Sequence, residues 1–153
     1  FVFCEHLIEH LTYPQTLNML RECHRVMKRE GIFRISMPCM EFLFDLWKKP
    51  DEPRNREYVQ WAARRFLGKA GTDYDENHAA VYVIGNFFRD FGHRFIHSHE
   101  SLKSILMQAG FRDVETRRVG WSEIPELCGL ERHDSVIPAE FNSLETHVVE
   151  AKK

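Results

Sequence analysis

Eight glycines and four cysteines in 153 residues leave several common chemistries without a foothold. No GxGxxG turn and no phosphate-cradling GxxxxGK[S/T] loop occurs, so this stretch has no nucleotide signature of its own. The nucleophile elbow GxSxG is missing as well, which leaves Ser-His-Asp hydrolysis unanchored. Cys4, Cys23, Cys39 and Cys128 form no CxxC pair, which argues against a zinc knuckle or a thioredoxin-like site. Thiols scattered in this way suit a reducing compartment, each acting as a small buried hydrophobe. No apolar run approaches the roughly 18 residues of a membrane span. Neither sign of charge dominates: 21 Lys and Arg against 23 Asp and Glu leave a net charge of −2. Nothing in that balance attracts nucleic acid or an anionic membrane. The expectation is a cytoplasmic protein with neither partner.

What is present describes a globular domain. The 43% hydrophobic and 29% charged fractions exclude disorder, and the length permits a real core without disulfides or a structural metal. The twelve phenylalanines point to a large apolar pocket or an interface. The segment Phe1-Val2-Phe3-Cys4 reads as a buried strand. Natural domains rarely open in mid-core, so this reading expects an upstream part that the chain lacks.

The first third reads as strand, helix, strand. Thr12 is an N-cap with Pro14 in the first turn, and Leu17, Leu20, Cys23 or His24, and Met27 recur at helical spacing. Lys28 and Arg29 suit the helix end, and Gly31 is expected in the left-handed conformation after it. Ile32 to Met37 follows as a strand stopped by Pro38, parallel to the first. Residues 39–92 differ. A short helix Met40 to Lys48, a break at Lys49 to Pro53 and a helix Arg54 to Leu67 carrying Tyr58, Trp61, Ala62 and Phe66 are expected. A polar loop Gly68 to Asn77 and an apolar stretch Ala79 to Phe91 with Phe87 and Phe88 complete a helical insertion or lid. Its aromatics at helical spacing read first as core. The core then resumes: Ser98 caps a helix with Leu102, Ile105, Leu106 and Ala109, and Gly110 and Phe111 close it as a Schellman motif. Val114 to Val119 and an alternating Leu144 to Ala151 are the last strands. The chain is thus one domain, with 1–38 and 93–153 as its α/β core and 39–92 inserted.

The densest polar cluster is Cys4-Glu5-His6-Leu7-Ile8-Glu9-His10. It lies where the first strand ends, and the carboxyl edge of an open α/β sheet is where ligands bind. It contains His6-x-x-Glu9-His10, the inverted-zincin pattern, in which His6 and His10 would share a zinc ion with Glu9 as base. That requires a helix beginning before His6, where a strand is expected, so no metal is assigned. His93, His97 and His99 form a second group, with His97 and His99 spaced to share one face of a strand.

The segment from Phe1 to Leu11, with Leu20-Arg21-Glu22-Cys23-His24-Arg25-Val26-Met27-Lys28-Arg29-Glu30-Gly31 leading to Pro38, resembles class I S-adenosylmethionine-dependent methyltransferases. In that family an EHxxEH turn follows the fourth strand, and an HRVLKPGG-like helix end leads into the fifth. Ser101-Leu102 to Ala109-Gly110-Phe111 resembles the late family helix before its sixth strand, and Asn142 to Ala151 its last strand. The resemblance implies an α/β fold comprising the fourth to seventh strands of a partial Rossmann-like methyltransferase sheet, with a helical insertion. It implies S-adenosylmethionine as cofactor for the complete protein and an unknown methyl acceptor. The family's glycine-rich turn and the acidic ribose contact lie upstream of the matched motifs, so weak or absent cofactor binding is expected of this chain. Carried over to the turn, the resemblance makes Cys4, Glu5 and His6 cofactor-facing, and Glu5, His6 and His10 candidates for a catalytic base. With its usual neighbour absent, the first strand would be an apolar edge, so a homo-oligomer formed through it is expected. The alternative is a non-catalytic interaction or dimerisation domain on the same fold.

Overall fold

The computed structural model describes residues 1–67 and 75–153. They form two compact units, Phe1–Met40 with Arg94–Lys153, and Glu41–His93.

The first unit is an α/β sheet. Strand β1 (Val2–Glu5), helix α1 (Tyr13–Val26) and strand β2 (Ile32–Pro38) make a parallel pair, in register from Val2 opposite Phe33 to Glu5 opposite Ser36. Helix α5 (His99–Gln108) leads to strand β3 (Arg112–Arg117), and helix α6 (Ala139–Glu145) to strand β4 (Thr146–Lys152). The order is β1-β2-β4-β3, with β4 antiparallel to both its neighbours and β1 at an edge.

Local chemistry sets most of these boundaries. The Gln15 side chain accepts the Thr12 N–H at 2.9 Å and so closes the start of α1. The exit departs from the glycine rule. Glu30, with φ 61°, takes the left-handed conformation expected of Gly31. Gly31 is needed instead for close approach, because a Cβ there would lie 2.8 Å from the Lys28 carbonyl oxygen. Ser98 accepts the Ser101 N–H, and Ser101 Oγ accepts the Ser98 N–H, which caps α5. At its other end the Phe111 N–H reaches the Leu106 carbonyl at 3.1 Å and the Gly110 N–H that of Met107 at 3.0 Å, the Schellman pattern.

One sheet face is apolar. Cys4, Phe33, Ile35, Met37, Val149 and Ala151 pack with Leu20 and Met27 from α1 and around it, and with Leu102, Ile105 and Leu106 of α5. The other face buries polar groups, among them Arg34, Ser36 and Glu150. Two strand expectations change accordingly. Leu144 and Glu145 end a helix, and β4 begins at Thr146. The alternation read there is absent, since His147 to Ala151 are buried without interruption. A strand hydrogen-bonded on both sides and covered on both faces hides its polar residues too. Strand β3 lies at the sheet's other edge, mostly exposed, with a bulge at Arg112 to Glu115.

The second unit is helical. Phe42, Leu43 and Leu46 of α2 (Met40–Lys48), Tyr58, Val59 and Ala62 of α3 (Pro53–Ala62), and Val83 and Phe87 of α4 (Ala79–Arg89) are buried. Phe42 meets Tyr58 edge-on at 4.8 Å. The Asn55 side chain donates to the Asp45 and Lys49 carbonyls, fastening α3 to the end of α2. The helix expected to run to Leu67 gives way at Ala63 to a π turn, Ala63–Leu67. Of the polar loop expected from Gly68 to Asn77, residues 68–74 lie outside the described residues; Asp75 then caps the turn Glu76–His78.

Candidate functional site

Strand β1 hands the chain to a strained turn. His6 has φ 44°, a conformation a residue with a Cβ adopts only when its surroundings impose it. The imposing contacts come from the neighbouring strand and the core. The His6 N–H donates to the Ser36 carbonyl at 2.9 Å, prolonging the parallel ladder past Glu5, and Ile8 is fully buried two residues later. A short 3-10 turn, Ile8–His10, follows and carries Glu9 inside, where it has no exposed surface. The Glu9 carbonyl accepts N–H bonds from Arg94 and Phe95, at 2.7 and 3.2 Å.

A buried carboxylate must find a cation or donors. Among the described residues His6 Nδ1 lies 3.1 Å from Glu9 Oε1, and the carboxylate atoms of Glu9 have no well-aligned hydrogen bond. The carboxylate thus lies beside the ring without fixing its tautomer, and His6 Nε2 is likewise buried with no hydrogen-bond partner among the described residues. The ring stacks on His133, centroids 3.7 Å apart and planes 20° from parallel. His133 Nε2 is 3.6 Å from Glu145 Oε1. Glu5 completes the junction: its carboxylate accepts the Arg132 N–H at 2.9 and 3.1 Å and the His133 N–H at 3.1 Å. Two imidazoles, each beside a carboxylate, therefore sit face to face where β1 ends.

The remaining candidates fall around this turn. His10 ends the 3-10 turn, half-buried, with its N–H on the Leu7 carbonyl. His6 precedes any helix, so His6 and His10 do not stand one helical turn apart as the zincin pattern demands. Cys4 lies in the apolar core, where burial, then the Glu9 charge, pushes its thiol up to about 12. Alkylation of the native chain with iodoacetamide at pH 8, read by peptide mass mapping, is expected to label exposed Cys128 and spare Cys4 until unfolding. Equal labelling of the two would contradict the buried placement.

His97 and His99 share no strand face. His99 opens α5, and His97 lies before its cap. His97 is fully buried, with Nδ1 3.2 Å from Ser101 Oγ; burial, opposed by the Glu9 charge, lowers its pKa to about 4, so it is neutral. His99 stacks on His147 at 3.7 Å, and burial, then His99, lowers His147 to about 3.

Sequence reasoning missed His133, Glu145 and Arg34. The first two sit in a loop and a seven-residue helix with no periodic signal. Arg34 looks like any polar residue in a strand, yet it is fully buried. It grips Glu131 with two bonds, 2.7 and 3.0 Å, and Glu150 with one of 2.7 Å, while Arg117 Nε holds the other Glu150 oxygen at 2.9 Å. Burial opposes both charges, but the Glu131 and Glu150 contacts raise Arg34 above its ordinary value. Bonds from Ser122, Arg117 and Arg34 likewise hold Glu150 below the usual carboxylate range.

Solved structures similar to this chain include two methyltransferases. One is a SAM dependent methyltransferase from Archaeoglobus fulgidus, with TM-score 0.48 and 19% identity over 99% of this chain and 58% of that one. The other is the small RNA methyltransferase HEN1, with TM-score 0.48 and 14% identity over 99% of this chain and 13% of that one. The chain thus spans less than two thirds of the length of either. No protein-family model matches it, and no curated protein does. Among the described residues no helix is long and apolar enough to cross a membrane.

Proposed function

We propose that this chain is the acceptor-side part of a class I S-adenosylmethionine-dependent methyltransferase, with His6 as the base that takes the acceptor's proton. The observation that carries this reading is the His6–Glu9 contact of 3.1 Å at the end of a parallel strand. A carboxylate behind an imidazole holds the ring and stabilises the imidazolium that forms as a proton arrives. Displacement at a methyl group needs little else from the protein beyond alignment and a water-poor cavity. The cofactor, when bound, supplies an electrophilic methyl group on a positively charged sulfur.

The residues present fit one end of that cofactor only. Glu9, a carboxylate without a well-aligned donor, suits a neighbouring positive charge, and Cys4, Glu5 and His6 bring the strand end to it. Glu5 secures the loop end through Arg132 and His133, and His10 flanks the turn. No glycine-rich turn for the adenosine side occurs in this sequence. The chain alone is therefore expected to bind S-adenosylmethionine weakly, with Kd at or above roughly 100 μM, about 5 kcal/mol of binding. Titration of the 15N-labelled chain should shift amide signals of residues 4–10 and Ser36 and spare β3. No shift at millimolar cofactor would overturn the assignment of this turn, and micromolar affinity by calorimetry would overturn the missing cradle.

A second reading is favoured by a separate observation. Among the described residues strand β1 is paired on one side only, and Phe1 and Phe3 are 66% and 36% exposed. An apolar edge with open N–H and C=O groups recruits another strand, and the same edge of a second copy, running antiparallel, meets that requirement. This reading makes the chain a dimerising interaction domain. Light scattering on the eluting peak is expected to give twice the 18.2 kDa chain mass, and a clean monomer rejects it.

A further inference from the structure

We propose that the buried Arg34–Glu131 pair is the positioning device of the candidate base, fixing His133 against His6 through the loop between β3 and α6. The inference rests on the assignment of His6 above.

That loop contains only two short 3-10 turns, Pro125–Leu127 and His133–Ser135, so side chains must set its path. Arg34 gathers it. Beyond its two bonds to Glu131, its Nη1 donates to the Trp121 carbonyl at 3.1 Å and its Nη2 to that of Arg118 at 3.5 Å. Glu131 Oε2 also accepts the Gly120 N–H at 2.8 Å, and the Gly129 N–H reaches the Gly120 carbonyl at 2.9 Å. The start and end of the loop are thus tied to one guanidinium rooted in the sheet.

The consequence appears one and two residues later. Arg132 and His133 give their N–H groups to Glu5, and the His133 ring lies on His6. Arg34 and Ser36 share a strand face, and Ser36 is the register partner of Glu5, so the fastener and the latch act on the same side of the sheet. Glu131 and His133 are two residues apart, a reach of at most about 7 Å, so the fastener and the latch act on one short stretch of chain. Arg34 and Glu131 touch no reacting atom. Their part is to hold the neighbour that holds the base.

The test needs neither cofactor nor acceptor, so its outcome is separate from whether methyl transfer occurs. In Glu131→Gln, amide exchange at Arg132 and His133 should accelerate by roughly tenfold or more while Val149, in the central strand, changes by less than about threefold. The nuclear Overhauser contact between the His6 and His133 rings should vanish. Where this variant does not fold, Arg34→Met combined with Glu131→Leu removes both halves of the fastener and leaves Glu150 paired with Arg117, and the same readouts apply. Protected Arg132 and His133 amides with the ring contact intact would overturn the proposal. So would a uniform loss of protection that includes Val149, because the pair would then serve only global stability.

Discussion

Arg34→Met is expected to cost about 3–5 kcal/mol of folding free energy, among the largest losses available to a single substitution in this chain. The side chain is fully buried, and so are the carboxylates it serves. Removing it leaves Glu131 with the Gly120 N–H as its remaining hydrogen bond among the described residues, and Glu150 with Arg117 and a serine. The loss comes from charge left unpaired in a poorly solvated place, not from lost attraction alone. Glu131→Leu should therefore destabilise the parent yet stabilise Arg34→Met, a coupling that independent sites would not show. Urea unfolding of the parent, Arg34→Met, Glu131→Leu and the double variant reads both quantities. An Arg34→Met chain within about 1 kcal/mol of the parent would show that the cluster is solvated and the burial argument wrong.

Acid should unfold this protein early. His97 and His147 are buried neutral, with pKa values near 4 and 3 against 6.5 for an ordinary histidine. In the unfolded chain both take up protons as pH falls through 6.5, while in the folded chain they resist until far lower. Their folded pKa values are depressed, so the stability they permit is complete above 6.5 and declines below it. Each histidine contributes a slope of about 1.4 kcal/mol per pH unit, or about 3 kcal/mol lost by pH 4. Together they remove about 6 kcal/mol, comparable with the whole stability of many domains. Glu150 adds to the loss at still lower pH, because its depressed pKa favours folding only while it is ionised. Unfolding free energies measured from pH 7 to 4 should fall most steeply between about pH 6 and 5, with a slope near two protons there, and His147→Gln should bring that slope close to one. A flat profile over this range would contradict the neutral, buried placement of both rings.

The two predictions rest on groups of very different visibility. The turn at Glu5, His6 and Glu9 announces itself as a dense polar run after an apolar strand, and the sheet edge gives it a place. Helix ends were equally readable where one or two neighbouring residues decide them, as Thr12 with Gln15, Ser98 and Gly110 do. Gly31 departs from its expected role because its need is proximity to the Lys28 carbonyl, a distance that backbone propensity does not encode. His133 and Arg34 carry no local signal at all. One is a loop residue 127 positions from its stacking partner, and the other a strand arginine whose charges arrive from Glu131 and Glu150.

By itself the sequence determined the strand-helix-strand opening, the capped helices and the polar turn after the first strand, because hydrophobic period and capping act over a few residues. Only the tertiary structure decided that β4 enters the middle of the sheet, that Arg34 is buried among carboxylates, and that His133 meets His6. Such pairings depend on which distant segments share a face, and that choice is made by burial and charge compensation across the whole fold.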